Sequence, residues 1–145
     1  MSARENIAKN IVEQLENMTN PAPGLVSRVF FDVQKLAITQ FPAVLVVSTA
    51  ETKTDVSTDL RQGSLTIECR CYVRGTEVDT LRNEIIERIE ETLETSRDRD
   101  IILADANIHN VKTQVTDIAV VERELPLGEA TVSVNVIYTY KKGVV

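Results

Sequence analysis

A chain of 145 residues has the length of one ordinary domain, enough to bury a core without disulfide or metal staples. Its 16 Lys and Arg against 22 Asp and Glu leave a net charge of −6, the wrong sign for a protein that grips phosphates tightly. No run of about 18 apolar residues is present, which excludes a membrane-spanning helix, and ordinary Gly and Pro usage excludes fibrous and disordered classes.

The start, Met1 to Glu5, is polar and carries no secretory pattern. Ser2-x-x-Glu5 forms a capping box, and Ile7, Ile11, Leu15 and Met18 follow at helical spacing, widened by Ala8 and Val12. Asn20 to Gly24 breaks this helix. A strand is predicted from Val26 to about Val33, then a connector through Lys35, Leu36 and Ile38. Ala43 to Val47 is apolar at every position, so it lacks a polar face and reads as a central strand. The next segment, residues 50–63, is rich in Thr, Ser and Asp and reads as a long loop, either a docking segment or a passive hairpin end.

Ser64 to Arg74 alternates cleanly. Leu65, Ile67, Cys69, Cys71 and Val73 face one way, and Thr66, Glu68, Arg70, Tyr72 and Arg74 the other. The two cysteines share a face at a Cα spacing of roughly 6.5–7 Å, the limit for a disulfide, and are expected as core thiols made in a reducing cytoplasm. Thr76-x-x-Asp79 caps a second helix with Val78, Leu81, Ile85, Ile86, Ile89 and Leu93 on one side. From Glu77 to Glu94 it holds seven acids and two bases, a net of −5, so nearly all the excess charge lies here.

Arg97 to Asp100 reads as a charged turn, and Ile101-Ile102-Leu103 has no assigned element. Asn110 to Val121 reads as a strand whose apolar parity slips from odd (Val111, Val115) to even (Ile118, Val120). One extra residue near Thr116-Asp117, a β-bulge, restores the register. The segment from Glu124 to Gly128 reverses the chain. Val132, Val134, Val136, Tyr138 and Tyr140 then alternate along a final strand, and residues 141–145 form a short tail.

The order α-β-β-β-α-β-β predicts a single α+β domain over residues 1–145. It is a two-layer sandwich of a mainly antiparallel, four- to five-stranded sheet with both helices on one face. No third helix is left to cover the opposite face, which is expected to meet solvent or a partner.

The residues carry no recognisable chemistry. The five glycines never form a phosphate loop, His109 lacks ligand or nucleophile partners, and Cys69-x-Cys71 lacks metal-knuckle spacing. Asp98-x-Asp100 lacks the glycine and closing glutamate of a calcium loop. Glu87 with Glu91 and Glu90 with Glu94 pair on a solvated helix face, where carboxylates do not separate their pKa values. No catalytic residue, cofactor or metal is expected.

Four blocks together resemble the tail terminator (tail completion) proteins of tailed bacteriophages. They are Phe41 to Val46, Arg61 through Gly75, Asp79 to Ile86, and Pro126-Leu127-Gly128 through Tyr140. The likeness is one of pattern and element order over most of the chain. It implies a ring of six copies at the head-proximal end of the tail tube, which stops tube growth and meets the neck or head-closure protein. In contractile tails it also meets the sheath. It implies a virion protein assembled in the host bacterial cytoplasm, with DNA passing through the ring but not held tightly, and no membrane partner. The acidic helix could line such a channel and repel phosphate, or face outward. Candidate interface residues are Arg61, Glu68, Arg70, Tyr72, Arg74, Glu87 and Glu91, with Arg61 set to pair with Glu87 or Glu91 of a neighbouring copy. Two other readings remain: a head-closure or connector protein of the neck, and a small-ligand-binding domain of ferredoxin-like architecture.

Overall fold

The structure, a computed structural model, describes residues 3–95 and 108–141. It is an α+β fold of two helices on one face of a five-stranded sheet, in the predicted element order. Helix α1 (Ala3–Glu16) is followed by strand β1 (Leu25–Ser27), two 3₁₀ turns (Val33–Lys35, Ile38–Gln40), β2 (Ala43–Asp55) and β3 (Leu60–Arg74). Helix α2 (Val78–Thr95) then leads to β4 (Ile108–Val121) and β5 (Leu127–Lys141). Spatial order is β1-β2-β3-β5-β4. Ser2, the charged turn at 97–100, the apolar triplet at 101–103 and the tail beyond Lys141 lie outside the described residues.

The sheet is mixed. β1 runs parallel to β2, with Leu25 opposite Ala43, because fifteen residues of crossover separate the two strands instead of a hairpin turn. The predicted strand from Val26 to Val33 stops after Ser27 for a local reason. The Ser27 hydroxyl accepts from the Val29 N–H at 3.0 Å, and the Asp32 carboxylate accepts from the Gln34 N–H at 3.0 Å to cap a 3₁₀ turn. Short polar side chains have taken the backbone donors that a strand needs.

The alternation along β3 and β5 holds throughout. Leu65, Ile67, Cys69, Cys71 and Val73 of β3 are buried with Val132, Val134, Val136, Tyr138 and Tyr140 of β5. They meet Ile7, Ile11, Leu15 and Met18 of the α1 region and Val78, Ile85, Ile86, Ile89 and Leu93 of α2 in one core. Burying each such side chain contributes about 1.5–3 kcal/mol, so packing rather than helix propensity holds α1 and α2 in place. The parity slip in β4 is a bulge. Val115 pairs with Val134 and Asp117 with Ser133, which leaves Thr116 unpaired in the ladder. Its hydroxyl instead donates to the Ser133 carbonyl at 3.3 Å. A matching irregularity lies between Ser48 and Ala50, where the Thr49 hydroxyl donates to the Thr66 carbonyl at 3.3 Å.

Residues 50–63 are not a loop. β2 and β3 stay paired from Ala43 opposite Tyr72 to Asp55 opposite Arg61, and only a tight turn over 56–59 joins them. The Leu60 carbonyl accepts from the N–H groups of Val56 and Ser57. Thr52 and Thr54 are good strand formers, and the backbone ladder rather than a core sets their conformation. The segment is polar because both faces of this hairpin arm are wet: residues 52 and 54–60 are all exposed.

Candidate functional site

The outer face of the sheet is not bare at the Tyr72 end. The chain from Leu25 to Phe41 folds over it and builds a second apolar cluster of Val33, Ala43, Leu45 and Tyr72, edged by Phe31, Leu36, Phe41, Val47 and Leu127. This is why Ala43 to Val47 has no polar face. Val44 and Val46 meet the helices while Ala43 and Leu45 meet the cross-over. Tyr72 is therefore a core residue and not part of an exposed interface. The Phe31 ring stands edge-on to it at 5.7 Å, and the Arg123 guanidinium lies 5.5 Å from its ring while binding Glu129 at 2.6 Å.

The remaining predicted interface residues do not converge. Glu68 and Arg70 project from the outer face of β3 and bind each other at 3.1 Å, and the Arg70 guanidinium also sits 6.0 Å from the exposed Phe30 ring. Arg61 pairs with Asp55 of its own hairpin at 3.1 Å, so its expected bond to a neighbour's glutamate has an internal competitor. Glu87 and Glu91 lie on the solvent side of α2, on the far side of the sheet from Glu68 and Arg70. Glu91 accepts from Arg88 at 3.1 Å, and Arg88 also donates to the Asn20 carbonyl, tying α2 to the segment after α1. Arg74 is exposed at the end of β3 between two shallow concavities. One, of about 150 Å³, is lined by Ile38, Phe41, Leu81 and Glu84, and the other, of about 210 Å³, by Gln34, Glu124 and Leu125. Both fall short of the several hundred cubic ångströms that a typical small-molecule site encloses.

The most organised polar group in the fold was not legible as a site. On the helix face of the arm, the Tyr138 hydroxyl donates to Glu51 Oε1, and Glu51 Oε2 binds Arg4 of α1 at 2.9 Å. Tyr138 is fully buried and the Glu51 side chain is only 10% exposed. Burial, then the hydrogen bond to Glu51, pushes the Tyr138 phenol well above its ordinary pKa. A phenol held neutral in this way is a donor and not a base. The Tyr140 ring lies 5.6 Å from that of Tyr138, with the Lys53 ammonium 5.0 Å from the Tyr140 ring centre. Gly63 makes this arrangement possible: a Cβ at that position would stand 2.5 Å from the Tyr138 ring. A lone glycine inside a strand marks such a close approach, but Gly63 stands at the end of a segment that reads as a loop, so the sequence carries no such signal there. The trio joins α1, β2 and β5, and its chemistry is that of a clamp.

Cys69 and Cys71 are free and fully buried, and burial pushes the Cys69 thiol up to about 12 and Cys71 well above the ordinary thiol value. Neither offers a thiolate at neutral pH. His109 enters β4 with its backbone paired to Thr139. Among the described residues, no three His, Cys, Asp or Glu side chains are grouped to hold a metal ion, and no helix is long and apolar enough to cross a membrane. No protein-family model and no curated protein matches the chain.

Proposed function

We propose that this chain is a structural assembly subunit, the tail terminator of a tailed bacteriophage. It acts as a ring of six copies that caps the tail tube, stops its growth and presents a surface to the neck or head-closure protein, and to the sheath where the tail contracts. The reading rests on the likeness of the four sequence blocks, and an α+β sheet flanked by helices agrees with it. The carrying structural observation is the β2–β3 arm. Ordering a residue's backbone costs about 1–2 kcal/mol, yet residues 52 and 54–60 are exposed and contribute almost nothing to their own core. The outer part of this stiff, hydrogen-bonded arm, beyond Glu51, adds nothing to the core and is suited to reach a tube or a neighbouring copy. The concentration of negative charge on α2 suits a ring through which DNA slides without sticking.

The test is light scattering and negative-stain imaging of the purified protein alone and with tail tubes. A six-fold ring seated on one tube end, with tube growth arrested, is the expected result. Failure to bind tubes, or the same small oligomer with and without them, refutes the reading. Replacing residues 56–59 by Asn-Gly should leave the fold intact and weaken capping. Full capping by the shortened arm would remove the structural support for this role.

A further inference from the structure

β4 is an edge of the sheet. β5 takes one side of it, and no described residue pairs with the other. Ile118 and Val120 lie opposite the buried Val132 and Ala130, so they sit on the helix face, yet they are 40% and 56% exposed, and Val121 is 38% exposed. A long edge strand with uncovered apolar side chains is a template for another strand. Its charges are arranged for one particular strand. Lys112 and Asp117 are the only charged residues in β4, both are exposed, and both lie on the outer face, opposite Ile137 and Ser133. Neither has an ion-pair partner among the described residues.

We propose that in the free subunit β4 pairs antiparallel with β4 of a second copy, about a two-fold axis through Gln114. The bulged Thr116 is passed over here as it is against β5. Gln114 then faces Gln114, Thr113 faces Val115, Lys112 faces Asp117 twice, and Val111 faces Ile118. Every pair matches in face: Thr113, Val115, Val111 and Ile118 on the helix side, Lys112 and Asp117 on the outer side. A slip of one residue sets outer-face positions against helix-face positions, and an in-register parallel arrangement puts Lys112 on Lys112. The contact is isologous, so it closes at two copies and hides the edge without open-ended growth. It concerns the subunit before assembly and does not depend on the ring reading.

Sedimentation over a range of concentrations tests it. The wild-type protein should show a monomer–dimer equilibrium. Lys112→Glu sets a glutamate against Asp117 twice and should weaken the dimer about tenfold or more, as should Asp117→Lys. The double exchange Lys112→Glu/Asp117→Lys should restore it. Both sites are exposed, so the variants should keep native circular dichroism. A wild-type protein that stays monomeric at its highest soluble concentration, a dimer indifferent to Lys112→Glu, or a double exchange that fails to restore pairing overturns the proposal. A wild-type hexamer unaffected by Lys112→Glu also overturns it while favouring the ring, and Lys112→Glu protein that is monomeric yet still caps tubes supports both.

Discussion

Removing the Glu51 carboxylate should cost more than its position on a polar, half-exposed strand suggests. Glu51→Ala leaves the fully buried Tyr138 hydroxyl without its acceptor, and an unsatisfied buried hydroxyl costs about 1–3 kcal/mol. Arg4 loses its partner as well, but its side chain is 51% exposed, so that bond contributes no more than about 1 kcal/mol. The expected total is about 2–3 kcal/mol, a drop in Tm of about 5–10 °C for a chain of this size. Tyr138→Phe removes the donor and keeps the ring, and Glu51 still holds Arg4, so about 1 kcal/mol is expected. Arg4→Ala should cost least. Denaturant titration of the two single variants and of Glu51→Ala/Tyr138→Phe closes a double-mutant cycle, in which a coupling of about 1 kcal/mol or more is expected. If Glu51→Ala lies within about 0.5 kcal/mol of the wild type, or the two changes simply add, the clamp does not hold α1 to the arm and the reasoning fails.

Three further outcomes follow from burial and pairing. A thiol-specific disulfide reagent should find neither Cys69 nor Cys71 in the native protein and both after unfolding; a fast-reacting native thiol would contradict their burial. Burial raises the phenols of Tyr138 and Tyr72 above the unfolded value near 10, so their contribution to stability is complete below about pH 10 and is lost as pH rises beyond it. Phenolate absorbance should therefore show these two tyrosines ionising only with unfolding, and an early native titration of either would refute it. In the free subunit, arm amides that point across the β2–β3 ladder should already be protected from exchange, with fast exchange at about residues 56–59 and at the alternate β2 amides that face its open edge. Unprotected exchange across 51–62 would mean that the ladder is not formed.

What was legible in the sequence and what was not divides along a physical line. Elements with one wet and one dry face announced themselves: the parity of β3 and β5, the apolar side of α2, and even the bulge at Thr116, where parity slipped by one residue. Elements defined by backbone pairing alone did not. The arm reads as a loop because few of its side chains are buried, and β1 reads too long because Ser27 and Asp32 end it through hydrogen bonds rather than through apolar pattern. Tyr72 reads as an outer-face residue because the chain that covers it is irregular and has no period in sequence. The Glu51–Tyr138 bond joins residues far apart in sequence, and Gly63, which lets the Tyr138 ring lie across the strand, reads as the end of a loop.

The charge on α2 bears on how two copies could meet. Within the helix the acids cost little. Like pairs at i,i+4 such as Glu87 with Glu91 are worth a few tenths of a kcal/mol each, as is a helix end with no base in its last turn. Ile85, Ile86, Ile89 and Leu93 outweigh this several-fold by burial. The cost falls instead on association. Pairing β4 about an axis normal to the sheet keeps both helix layers on one side, with each α2 packed near its own β4. Two subunits of net charge −6 therefore repel at long range while Lys112 and Asp117 attract at contact. Salt screens the long-range part over a Debye length of about 10 Å at 0.1 M and weakens exposed ion pairs as well. With repulsion dominant, moderate salt strengthens the wild-type dimer, and it strengthens the Lys112→Glu dimer more, because that variant has repulsion at both ranges. A surface charged in this way resists indiscriminate contact, so the apolar edge can stay open without aggregating until a strand with the complementary register arrives.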